Sequence, residues 1–284
     1  MSREIYRPDA IPFVLFNLDQ LELDCKPIPA RNELEMRLRE LSQGRLVPLV
    51  VFNCLEFSWQ PNGNRYPQST VSGDSRSSIC AFFQDEIEIV KLDLEQLGKP
   101  ALKIIIPDSE LFDDRVFSFA QPREERVAIA ANVKDTLSES LNGLNDSESP
   151  VILWSDYCQE QRLPSPFEYT ERNYERIKND SQLLRKAKDQ VADSKKYFEK
   201  NGLFSQYIRN IREAELLERT LWYCAMYAGE GQALSESGAI VINFEDGRVP
   251  AWFQRGANGR LPILTPGDPK RFYSWRRNRE LEQS

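Results

Sequence analysis

Tyr223, Tyr227 and Glu230 stand within eight residues of one another. On a helix the two tyrosines share a face and the carboxylate follows one turn on. Two phenols and a carboxylate that converge can bind an amine and carry its proton. The same residues read equally as an aromatic stripe packed in a core. A second group follows the apolar run Val47 to Phe52: Asn53, Cys54, Glu56 and Ser58. At a strand end Cys54 is placed to act as a nucleophile, because a modest fall in thiol pKa already yields thiolate. Most free cysteines are small buried hydrophobes, which is the competing reading. A third group follows the run Ala101 to Ile106, where Asp108, Glu110, Asp113 and Asp114 crowd into seven residues. Such acids can hold a cationic substrate group or a divalent ion, or cap helices and line a loop.

What is missing narrows the chemistry further. The 284 residues include no histidine, which removes Ser-His-Asp and Cys-His pairs and every imidazole metal ligand. The five cysteines contain no CxxC pair, so a zinc ribbon or a dithiol redox motif is excluded on spacing. No P-loop and no GxSxG elbow occur, and Gly229-Glu230-Gly231 lacks the third glycine of a dinucleotide fingerprint. The sequence calls for no metal and no cofactor. With no apolar run near the roughly 18 residues of a membrane span and no apolar h-region in MSREIYRPD, a cytoplasmic protein with reduced thiols and no membrane partner is expected.

The elements that must position these groups read as alternating strands and helices. Strands are expected at Ile11 to Phe16, Val47 to Phe52, Ala101 to Ile106, Val151 to Trp154 and Ala239 to Phe244, each a short unalternating apolar run bounded by turn formers. Such runs suit parallel strands buried on both faces. Helical spacing marks Asn32 to Leu41, Phe82 to Leu97 and Arg123 to Leu141, while Asn62 to Ser78 and Asn142 to Pro150 read as loops. From Phe167 to about Lys200 one long charged helix is expected. A second runs from Phe204 to about Ala228, where Gly229 and Gly231 stop it. The expectation is one α/β Rossmann-like domain over residues 1–284, with a mainly parallel sheet and a helical elaboration over 167–230.

Charge is unevenly spread. The formal net charge is −7, yet residues 1–150 carry 16 basic and 25 acidic side chains and residues 151–284 carry 21 and 19. The basic side chains gather between Arg172 and Lys200, including Arg185, Lys186, Lys188, Lys195 and Lys196, and again in the tail KRFYSWRRNR. An acidic body with a local basic face suits a protein that meets a polyanion along one surface, and a long helix also displays such residues simply to stay solvated.

The order of these segments resembles the tRNA-dependent cyclodipeptide synthases. In that family a serine after the first core strand takes an aminoacyl group from one charged tRNA. Basic helix residues hold the tRNA, and a tyrosine and a glutamate four residues apart bind and deprotonate the amine. The resemblance spans roughly residues 45–250. VVFNCLEFS (50–58) falls where the family serine motif would be, with Cys54 nearest the nucleophile and Ser58 in reserve. VILWSDY (151–157) and the basic helix after it match in order and character. Tyr223 corresponds to the family tyrosine, whereas the residue four on is Tyr227 and the nearest carboxylate is Glu230. The family's Gly-x-Ser is absent. The resemblance implies a Rossmann-like body, an aminoacyl-enzyme intermediate and aminoacyl-tRNA as partner. From the residues themselves, Asn53, Glu56, Ser58, Asp108 and Glu110 are expected around the substrate, with Asp108, Glu110, Asp113 and Asp114 placed to pair with a basic side chain such as arginine on it.

A second resemblance is to isonitrile synthases of the pyoverdine/dityrosine type, through FSWQPN (57–62) and IIPDSELFDDRVFSF (105–119). Their lysine is replaced by Trp59 or Gln60 here, and their histidine motif has no counterpart. A third reading is a non-catalytic RNA-binding or scaffold protein using the basic face.

Overall fold

Hydrophobic residues spaced three and four apart settle the first element. Ile11, Val14 and Leu18 are buried with Leu15 packed beside them, and Ile11–Gln20 is a helix, α1, entered through the 3-10 turn Pro8–Ala10. The strand expected at Ile11 to Phe16 is therefore corrected. A six-residue apolar run carries no polar alternation to separate strand from buried helix, and the spacing of what is buried decides it.

The computed structural model describes residues 8–20, 28–52, 57–59, 65–67, 93–106, 151–200, 213–242 and 248–264, together with Asp108, Arg115 and several residues between 128 and 138. After α1 come α2 (Ile28–Ser42), β1 (Pro48–Phe52), β2 (Phe57–Trp59), β3 (Arg65–Pro67), β4 (Ala101–Ile106) and β5 (Val151–Leu153). The second half holds α3 (Trp154–Glu160), α4 (Pro166–Asn179), α5 (Ser181–Lys200), α6 (Glu213–Glu236), β6 (Ile240–Ile242), α7 (Arg248–Gly256) and β7 (Ile263–Leu264).

Five strands form one all-parallel sheet in the order β5-β4-β1-β6-β7. The chain starts in the middle, steps outward twice, then returns to the other side of β1. This is the arrangement of a doubly wound α/β fold, with its topological switch between β1 and β6. β2 and β3 pair separately as an antiparallel ribbon, Ser58 opposite Tyr66, so part of the segment expected to be loop is strand.

Strand alternation divides the core in two. Leu49, Val51, Ile104, Ile106, Ile240 and Ile242 face α1, α2 and the buried Ala130. Val50, Ile105, Ile152, Val241 and Ile263 face the aromatic side, with Trp154, Tyr157, Tyr169, Tyr227, Trp252 and Phe253. The result is three layers, helix on sheet on helix. Among the described residues no helix is long and apolar enough to cross a membrane.

Two helices depart from expectation on the aromatic side. The single stretch from 167 to 200 is broken at Asp180, which is extended (φ −99°, ψ 112°). Its Oδ1 accepts the N–H groups of Gln182 and Leu183, capping α5. At the other end of α4, Ser165 and Glu168 form a reciprocal capping box with Pro166 next in line. The second correction is α6, which continues through Gly229 and Gly231 to Glu236. A Cβ on Gly231 would stand 2.3 Å from the Phe253 Cα, and one on Gly256 of α7 would stand 1.7 Å from the Ala228 carbonyl oxygen. These glycines are notches that let helix backbones touch, and tertiary packing overrides their weak helix propensity.

Candidate functional site

Helix α6 carries Tyr223, Tyr227 and Glu230 and lies between α4 and α7, with α5 also against it. Tyr223 and Tyr227 meet edge to face, ring centroids 4.7 Å apart, and Tyr227 leans on Phe253 at 5.9 Å. Tyr223 is half-buried; Tyr227 and Glu230 are buried, Glu230 at 2% exposure. The shared face expected from their spacing is thus present, with the carboxylate enclosed one turn beyond the rings.

Asp108 stands at the carboxyl end of β4, where the rule for parallel sheets places ligands. It is fully enclosed. The Ser155 N–H donates to its Oδ1 at 3.0 Å and the Ser155 hydroxyl donates to Oδ2. Burial pushes its pKa from 3.8 up to about 6, against the pull of the Ser155 hydrogen bonds and with a further push from Asp156. Both of these bonds go to the first turn of α3.

Cys158, a residue that sequence reasoning misses, lies in the field of both acids. It is buried and free. Burial first, then the charges of Asp108 and Glu230, push its thiol up to about 12, so it remains a thiol at neutral pH and is no nucleophile. A lone cysteine inside an aromatic helix offers no signal in the sequence; only the fold brings it near the two carboxylates.

A stack of aromatic and charged groups stands alongside. Trp222 lies flat on Tyr174 (3.7 Å, 6°), and the Arg115 guanidinium covers its ring at 3.7 Å and that of Phe167 at 4.4 Å. Arg115 also pairs with Glu171 at 3.4 Å. Glu218 accepts from the Tyr174 hydroxyl (2.5 Å) and the Trp222 N–H (3.2 Å). Burial, then this carboxylate, pushes the Tyr174 phenol up to about 12. Arg115 thereby bridges α4 and α6.

No family model matches the chain, and no curated protein matches it either. One solved structure similar to it is described as a CDPS (cyclodipeptide synthase) from Fluoribacter dumoffii. Identity is 11%, with 86% of this chain and 94% of that one covered, and the TM-score is 0.46. At that degree of likeness the functional reading has to stand on the chain's own residues.

The other residues named from the sequence fall in separate places. Asn53, Cys54, Glu56 and Glu110 lie outside the described residues. Ser58 is the middle residue of β2, in the ribbon and not in the main sheet. Arg185, Lys186 and Lys188 are exposed on α5, and Lys195 and Lys196 belong to the same helix. Exposed cations on one helix form a surface that phosphates can reach.

Proposed function

We propose that this protein forms cyclic dipeptides from aminoacyl-tRNA. The observation that supports the reading most directly is the enclosed Glu230 one turn beyond the edge-to-face pair Tyr223 and Tyr227, in a chain with no histidine to act as base. In this reading Cys54, two residues beyond the end of β1 in sequence, attacks the ester carbonyl of one aminoacyl-tRNA. A thioester forms, the ribose oxygen leaves and takes the thiol proton. The tyrosines hold the α-ammonium group and Glu230 accepts its proton. The freed amine attacks the ester of a second aminoacyl-tRNA, whose ribose oxygen leaves and takes the proton lost by that amine. The new amine, deprotonated in turn, closes the ring by expelling the Cys54 sulfur, which is reprotonated to the thiol. Both esters arrive activated, so the protein need only position them and move protons. Arg185, Lys186, Lys188, Lys195 and Lys196 meet the tRNA phosphates. Asn53, Glu56, Ser58 and Glu110 surround the aminoacyl groups, a basic side chain such as arginine pairs with Glu110, and Asp108, enclosed against Ser155, braces the end of β4.

The test is intact-protein mass spectrometry after incubation with a pool of charged tRNAs, alongside chromatography of the products. A gain of one aminoacyl group that vanishes in Cys54→Ala, with a cyclic dipeptide in solution, supports the reading. A gain that persists in that variant keeps the function and moves the nucleophile to Ser58. Retention of tRNA with neither adduct nor product would leave an RNA-binding protein.

A further inference from the structure

Beside α7, two arginines open onto one hollow. It is about 440 Å³, within the range of small-molecule sites (~300–1,000 Å³). Arg176 of α4, Leu183 of α5, and Ala251, Gln254 and Arg255 of α7 line it, with the turn residues Asn258 and Gly259. That turn leads into the amino end of β7, so the hollow lies at the end of the sheet away from Asp108. No carboxylate is among its lining residues in the described part of the chain.

Each arginine is held in place without being neutralised. The Arg176 Nη2 donates to Asn258 Oδ1 at 2.7 Å. Asn258 can receive it because its backbone turns through the left-handed region (φ 53°), followed by Gly259 at φ 73°. The Arg255 guanidinium lies 4.7 Å from the Trp252 ring centroid and is half-buried. Its pKa is lowered by burial, the desolvation of a charge that an anion would relieve. Among the described residues neither guanidinium has a carboxylate within ion-pair distance. Two acids beside Arg176 along the chain are engaged elsewhere: Asp180 caps α5 and Glu175 receives the Asn179 amide.

An arginine in the last turn of a helix also complements the helix dipole. That accounts for Arg176 or Arg255 taken singly. It does not account for both converging on one hollow whose described lining holds no acid, with an asparagine steadying one of them. We propose that this hollow is a binding site for a phosphate group, gripped between Arg176 and Arg255 by charge-assisted hydrogen bonds. The site goes beyond the peptide-forming chemistry and involves none of its residues. The phosphate belongs either to a nucleic-acid backbone or to a small phosphorylated molecule.

Thermal unfolding of the full chain in inorganic phosphate, against chloride at equal ionic strength, tests the site. The wild type should gain several degrees, and the gain should vanish in Arg176→Gln and shrink in Arg176→Lys. Lys178→Gln, which removes the same charge outside the hollow, should keep it. Arg176 is exposed, so its variants fold even if Arg255→Gln does not. No gain in the wild type, or equal loss in Lys178→Gln and Arg176→Gln, would overturn the proposal. Uncharged tRNA then separates the sources. If it displaces phosphate and binds at least several-fold more weakly to Arg176→Gln, the group is a backbone phosphate; if neither occurs, the ligand is a small phosphorylated molecule.

Discussion

Asp108 holds the first turn of α3 through both the backbone and the hydroxyl of Ser155, joining the tip of β4 to the helix that follows β5. The join is made by a carboxyl group with no access to water. Its pKa is raised from 3.8 to about 6, so the folded protein keeps a proton that the unfolded chain gives up. The stability this group contributes is whole below about pH 4 and is lost as pH rises toward about 6. The full swing is about 3 kcal/mol. Asp108→Asn carries no such proton. Urea unfolding at about pH 4.5 and about pH 7.5 should show the wild type losing about 2 kcal/mol more than the variant between them. Parallel behaviour of the two proteins would show that the buried carboxyl does not titrate.

Glu230→Gln keeps the shape of the side chain and removes its capacity to take a proton. If Glu230 receives the amine proton, the variant should still acquire an aminoacyl group but release product about 100- to 10,000-fold more slowly. Circular dichroism establishes that it is folded. Product formation at the wild-type rate would move the base elsewhere.

Gly256→Ala should cost about 3 kcal/mol, because the new methyl group would collide with backbone and not with a side chain that can turn away. Gly231→Ala should behave alike. Denaturant midpoints measure both, and a loss below about 1 kcal/mol in either would mean that the helices part easily.

Neutralising Arg185, Lys186 and Lys188 together should weaken tRNA binding whatever the aminoacyl group. For every phosphate that the variant no longer neutralises, the dependence of log affinity on log salt flattens by about 0.7–0.9. An unchanged slope would identify these cations as a solvated face.

The sheet is legible in the sequence to the extent that its strands are bounded chemically. Ala101–Ile106 is found residue for residue because prolines stand on either side of it. β7 is two residues long, too short for any periodicity. The break at Asp180 depends on one side chain turning back on the amides of Gln182 and Leu183, a local bond that composition does not announce. Tyr223, Tyr227 and Glu230 can be grouped from helical spacing alone, since all three lie on one element. Cys158 cannot, because its neighbours Asp108 and Glu230 come from parts of the chain 122 residues apart. The two glycines of α6 look like punctuation, which they are in isolation. What they do here is set by Tyr169 and Phe253 on other helices.

Those notches have a mechanical consequence. At these glycines backbone rests on backbone on both flanks of α6, so the helix cannot slide or roll there without a clash. Tyr223, Tyr227 and Glu230 therefore ride on a fixed rail, and in the proposed reaction the substrate has to be carried to them.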